Sequence, residues 1–144
     1  MRAGVEAASR ERGARLATAP EFEVTDRDKP TEHLARLLSR GNEPTAVICR
    51  SDVHASAAME AARRSGLSVP RDVSVACYGG PAGTRTRKPA LTTVAVDMYA
   101  MGTEAARVLC ARLDGGGTRR WRVNIPGTLV QGRSTGPAPQ GGAT

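Results

Sequence analysis

An α/β fold built on a parallel sheet follows from three features of this sequence. Two short apolar runs, Ala46–Cys49 and Val73–Tyr78, flank a segment of helical length that closes at Gly66. A third extended run, Leu91–Val96, leads directly into a long helical pattern. Strand–helix–strand spacing is how parallel strands are joined, because the chain must cross back over the sheet before it can run in the same direction.

The bulk numbers narrow the class. At 144 residues the chain is one domain or part of one, able to bury about two thirds of its unfolded surface. Aromatic residues make up only 3% against 40% hydrophobic overall, so the core is expected to be Ala, Val and Leu. No apolar run approaches the ~18 residues a membrane span needs, and Met1–Arg15 reads as a polar, alanine-rich helix rather than a leader. These features point to the cytosol and away from membranes. The net charge of +7 comes almost entirely from arginines. They are scattered and not interleaved with aromatic rings, which fits a solvated surface better than a base-stacking one.

Taken in order, the chain opens on a helix over Arg2–Arg12 that Gly13 stops. It begins without the strand that normally precedes a helix in an α/β layer, so the lobe is expected to be incomplete at its N-terminus. Leu16–Val24 is at most a short edge strand, interrupted by Pro20. After a polar turn at Asp26–Lys29, Pro30 stands in the first turn of a helix carrying Leu34, Leu37 and Leu38 on one face, closed by Gly41. Ala46–Cys49 is a strand. Ser51 or Asp52 then caps a helix with Val53, Ala57 and Ala61 on one face and Ala55, Ala58, Met59 and Ala62 on its neighbour. Leu67–Asp72 is a loop and Val73–Tyr78 a strand. Gly79–Ala90, rich in Gly, Pro and Arg, is another loop before the run Leu91–Val96. Asp97 caps a helix to Asp114 with an expected buried stripe of Met98, Met101, Ala105, Val108 and Leu109. Trp121–Ile125 and Thr128–Gln131 read as a closing strand pair turned at Pro126–Gly127. From Thr135 onward the composition predicts a disordered tail, which bounds the domain at residue 134.

Catalytic readings are weak. Ser51, Asp52 and His54 have the composition of a Ser–His–Asp relay, but near-neighbours at a helix start suit capping better. His33 and His54 have no companions at metal-ligand spacing, and Cys49, Cys77 and Cys110 lie singly inside apolar runs, as structural thiols do. The Gly79-Gly80-Pro81-Ala82-Gly83 loop follows a strand but lacks the G-x-x-x-x-G-K-[ST] spacing of a phosphate loop. The residues alone describe a non-enzymatic α/β module with no cofactor and no metal.

Five ordered blocks carry more: P-T-A-V-I-C-R-S-D-V-H-A, S-G-L-S-V-P-R-D-V-S-V-A-C-Y, K-P-A-L-T-T-V, M-G-T-E-A-A-R-V-L and L-V-Q-G-R-S-T. In that order and spacing they resemble the lactose/galactose (LacI/GalR) repressor family over roughly residues 1–137, in its effector-sensing domain. The resemblance implies a three-layer parallel-sheet lobe of the type I periplasmic-binding-protein fold. It implies a bacterial transcription regulator of carbohydrate or nucleoside metabolism, acting as a homodimer with a sugar or nucleoside effector. Operator DNA would be read by a helix-turn-helix domain that this chain lacks. By the same resemblance the effector would meet Ser51, Asp52, Tyr78 and Gly79, and the dimer would form through the helix after the S-D motif, at Val53, Ala57, Met59, Ala61 and Arg64, and through Thr84–Leu91.

The pocket departs from the family pattern. Met1 stands where an arginine precedes the glycine matching Gly4, Thr25 replaces a stacking aromatic, and Ser51 replaces an asparagine. The G-[FY]-D-[DN] run is Cys77-Tyr78-Gly79-Gly80, so the ligand carboxylate is missing and only Asp52 keeps its polar identity. Effector binding is therefore expected to be weak, altered or lost. A stand-alone sugar-binding protein and a remnant without activity are the alternative readings.

Overall fold

The computed structural model describes residues 2–15, 28–39, 44–79, 88–115 and 121–138. Eight elements follow in order: α1 (Arg2–Glu11), α2 (Asp28–Leu38), β1 (Ala46–Cys49), α3 (Asp52–Arg64), β2 (Ser74–Tyr78), β3 (Thr92–Val96), α4 (Met98–Leu113) and β4 (Gly127–Val130). The strands form one sheet in the order β1-β2-β3-β4. The first three are parallel, with Cys49 opposite Cys77 and Cys77 opposite Thr93, and β4 closes the far edge antiparallel to β3.

Alternation along the strands assigns the faces. Val47, Cys49, Val75 and Cys77 point to the side where α3 lies, and with Ala55, Ala58 and Leu91 they make the main core. A second cluster, of Leu38, Ala61, Ala62 and Val73, seats α2 against α3. The α3 residues in both clusters are all alanines, at 0–1% exposure. With no side chain beyond Cβ, these residues let α3 pack closely against its neighbours. On the opposite face α1 and Ile48 line one shallow depression, and α1 buries none of its residues.

Glycine and cap chemistry place the helix ends. Gly13, Gly66 and Gly115 each have positive φ after a helix, the left-handed conformation only glycine adopts cheaply. The Asp97 carboxylate accepts the Ala100 amide at 2.9 Å and starts α4.

Several expectations are corrected. Asp28 and Lys29 are already helical, so the polar turn expected there is the start of α2. Trp121–Ile125 forms no strand, and β4 pairs with β3 instead of with that run. The α4 stripe is not buried: Met98 is 64% and Leu109 59% exposed, and no α4 residue is buried. Periodicity identified the apolar face correctly but could not say that anything covers it. The run Leu16–Val24, Gly41, the stretch 80–87 and residues 139–144 lie outside the described residues.

The ordered chain also runs past residue 134, where disorder was expected. Ser134 is completely buried between the starts of β2 and β3. Its carbonyl accepts the Val75 amide at 2.7 Å, its hydroxyl donates to the Val75 carbonyl, and the same hydroxyl accepts the Thr92 amide at 2.8 Å. Thr135 meets the Thr92 hydroxyl at 2.8 Å, and the Gly136 amide donates to Ser74 Oγ at 3.1 Å. Gly132 passes so close to Ala90 and Leu91 that a Cβ there would clash with the Ala90 carbonyl oxygen. Residues 132–136 thus staple β2 to β3 where their own ladder has not yet begun.

Cys49 and Cys77 sit side by side in the core. Burial, reinforced by neighbouring Cys77, pushes the Cys49 thiol up to about 12, so it stays protonated and unreactive at neutral pH.

Two outcomes follow. Ser134→Ala leaves a buried Thr92 amide and Val75 carbonyl without their partner, and should lower unfolding stability by about 2–3 kcal/mol in urea titration; an unchanged midpoint would remove the staple from the account. In the native protein a disulfide indicator at pH 8 should titrate exposed Cys110 alone, with buried Cys49 and Cys77 reacting only after denaturation.

Candidate functional site

The chemistry-bearing residues converge at the C-terminal ends of β1 and β2. The Cys49–Cys77 register puts the residues that follow, Arg50-Ser51 on one strand and Tyr78-Gly79 on the other, next to each other. Gly79 confirms the proximity: a Cβ built on it would lie 3.8 Å from the Arg50 carbonyl oxygen. Its φ of +79° lets the chain turn off β2, and its amide donates to the Val94 carbonyl at 2.9 Å, extending the ladder to β3. Ser51, Asp52, Tyr78 and Gly79 therefore share one rim.

Their roles on that rim differ. Ser51 is the N-cap of α3, in extended backbone at φ −152° and ψ 165°. Its hydroxyl accepts the His54 amide at 3.4 Å and contacts His54 Nδ1 at 2.7 Å. The serine and histidine are thus tied up within one helical turn, and the hydroxyl is held at the helix end as a cap. Asp52 follows in the first turn, half-buried, where a carboxylate interacts favourably with the helix dipole.

Tyr78 is 44% exposed and looks into an open depression of about 460 Å³ lined also by Val96, Met101, Val123, Asn124, Ile125 and Pro126. None of these lining residues is charged. The only polar side chains among these lining residues are those of Tyr78 and Asn124. Asn124 went unnoticed in the sequence because it sits in a run read as strand, and no motif marks it. Among the described residues no three His, Cys, Asp or Glu side chains converge as metal ligands.

The residues expected at a dimer face divide. Val53 is 50% exposed, Ala57 is half-buried and Arg64 is exposed, and all three lie on the outward ridge of α3 with Glu60. Glu60 accepts from Arg63 at 2.8 Å and from Arg64 at 2.9 Å. Those bonds, Arg63 first, hold its carboxyl down at about 2. Ala61 is corrected: with 0% exposure it already belongs to the core beneath α2 and has no surface to offer a partner. Met59 is half-buried against the main core. The Thr84–Leu91 segment is described only from Lys88 on, and Leu91 there is buried in the main core.

Comparison with known proteins identifies the family of the fold. The periplasmic binding protein-like domain matches residues 1–135. The HTH-type transcriptional repressor PurR of Salmonella arizonae is 34% identical over 106 residues, 74% of this chain and 31% of that protein. Among solved structures, a LacI family transcriptional regulator from Bifidobacterium animalis superposes with a TM-score of 0.80 at 27% identity, over 94% of this chain and 49% of that one. A LacI family regulator from Arthrobacter, solved with lactose, gives 0.77 at 26% identity, over 92% and 49%. The chain spans about a third of the length of the curated relative and about half of each structure. The relatives are transcriptional regulators, and none of the described helices is long and apolar enough to cross a membrane. The chain belongs to the periplasmic binding protein-like domain family, in the branch found in LacI-type transcriptional regulators.

Proposed function

We propose that this chain is the sensor and dimerisation part of a LacI-type repressor of carbohydrate or nucleoside metabolism, with its effector seated on the rim formed by β1 and β2. The observation that carries the reading is the side-by-side placement of Ser51-Asp52 and Tyr78-Gly79 at adjacent parallel strand ends. Open α/β sheets bind ligands in that position, because helix amide ends and strand-terminal loops converge there. Operator contact belongs to a helix-turn-helix domain that these residues do not include, and the α3 ridge of Val53, Ala57 and Arg64 is the dimer face.

The chemistry of the rim sets the expected strength. A sugar or nucleoside is recognised by several convergent hydrogen-bonding groups, and a carboxylate that accepts two hydroxyls is among the strongest. Gly79 offers none, and the depression beside it contributes only Tyr78 and Asn124. Binding through Asp52, Tyr78 and Asn124 alone leaves the effector weakly held.

Calorimetry against a panel of mono- and disaccharides, nucleosides and purine bases tests this. No ligand should bind below about 1 mM, which corresponds to about 4 kcal/mol. Gly79→Asp should strengthen binding of one sugar or nucleoside at least tenfold, at a stability cost of about 1 kcal/mol for the left-handed backbone. Micromolar binding by the unaltered chain, or a Gly79→Asp variant that binds nothing on the panel, would sink the reading. Val53→Glu should weaken self-association without changing the far-UV circular dichroism.

A further inference from the structure

Ser51 stands on the rim beside Tyr78-Gly79, yet its hydroxyl is already engaged. Its Oγ lies 2.7 Å from Nδ1 of His54 and 3.4 Å from the His54 amide nitrogen. Both residues are half-buried, so water competes only in part for that pair. The shorter contact says which atom holds the proton. A hydroxyl reaches its acceptor at about 2.7–2.8 Å, whereas a nitrogen donor settles at about 2.9–3.0 Å from oxygen. At 2.7 Å the Ser51 hydroxyl donates to His54 Nδ1, and a neutral imidazole that accepts at Nδ1 carries its own proton on Nε2. A serine hydroxyl has one proton to give and two lone pairs. Here the proton goes to the imidazole and one lone pair faces the His54 amide, which leaves a single lone pair for the rim.

We infer that His54 is a positioning residue of the effector site: by taking the Ser51 proton it withholds a hydrogen-bond donor from the rim and leaves Ser51 able only to accept. The inference rests on the reading that the effector sits on the β1–β2 rim. It sets a rule for the ligand. The group that meets Ser51 has to be a donor, a hydroxyl or an amino group. A carbonyl, carboxylate or phosphate oxygen would face a lone pair there and be repelled. The two tasks of Ser51 are separable, because the amide it caps belongs to the backbone and is donated whatever side chain residue 54 carries. Removing the imidazole therefore keeps the α3 cap and frees the proton. An asparagine at 54 would put a carbonyl oxygen close to the place of Nδ1 and keep the proton engaged. His54 belongs to neither core cluster, so these changes leave the buried face of α3 as it is.

Nitrogen-15 NMR of the histidine rings in the full chain, at about pH 8, tests the proton assignment without a ligand. His54 should show its proton on Nε2 and an acceptor at Nδ1, and Ser51→Ala should shift the Nδ1 resonance. A proton on Nδ1, or a ring spectrum indifferent to Ser51→Ala, overturns the inference. Titration with adenosine and inosine, which differ by an amino donor against a carbonyl acceptor, tests the rule through the Ser51 and Gly79 amide signals. The unaltered chain should prefer adenosine by about fivefold, the worth of one hydrogen bond. His54→Leu should erase that preference with unchanged circular dichroism, and His54→Asn should retain it. A ratio that His54→Leu leaves alone, or one that favours inosine from the start, overturns the inference. If neither nucleoside moves the Gly79 signal, the rim reading fails, and the ring spectra still decide where the His54 proton sits.

Discussion

The all-alanine buried face of α3 is the constraint from which the rest of the structure follows. Ala55 and Ala58 in the main core and Ala61 and Ala62 in the cluster with α2 reach 0–1% exposure, so the fully buried face of α3 is built of methyl groups, with Met59 half-buried beside it. That seam fixes the height of α3 over β1 and β2, and therefore the place where Ser51 caps it. Replacing any of these alanines with a larger side chain would lift the helix, at a cost of about 1–3 kcal/mol, and move the rim with it. The core holds little volume per contact, so its stability rests on fit more than on buried mass.

The polar staple at the other end of the strands offsets what the small core lacks. Ser134 takes one residue of a distant segment and satisfies groups on both β2 and β3. Parallel strands cannot be closed by a tight turn, so their N-terminal ends would otherwise expose unpaired amides and carbonyls. A side chain that donates once and accepts once is suited to the gap, since each bond satisfies a group already buried. The helix seam packs on β1 and β2 and the staple ties β2 to β3, so β2, common to both, is held from two sides.

What could be read from the sequence was local. Ala46–Cys49 is strand β1 residue for residue, Ser51 and Asp97 cap their helices, and Gly13 and Gly66 follow the helix ends, because each signal is written within a few residues. The parallel sheet and the family were legible for the same reason: spacing and ordered blocks survive in one dimension. What failed was long-range. Ser134, set among Gly, Arg and Thr, carries no mark of burial, since its partners lie 59 and 42 residues away. The run Trp121–Ile125 resembles the first arm of a hairpin, yet β4 finds its partner in β3. Amphipathic spacing on α4 revealed which side is apolar, while burial depends on what stands opposite.

The candidate site divides along the same line. Its positions are backbone properties: adjacent strand ends, a cap and a left-handed turn at Gly79, all held by the seam and the ladder to β3. Its affinity is a side-chain property, and nothing in the fold requires a carboxylate at residue 79 or an asparagine at residue 51. The positive φ at Gly79 is satisfied best by glycine itself, so an aspartate there would add a hydrogen-bonding group at a cost in backbone strain. Stability and binding therefore favour different residues at that one position. The rim can remain intact as architecture while its capacity to hold an effector falls, because the interactions that build it are independent of those that would use it.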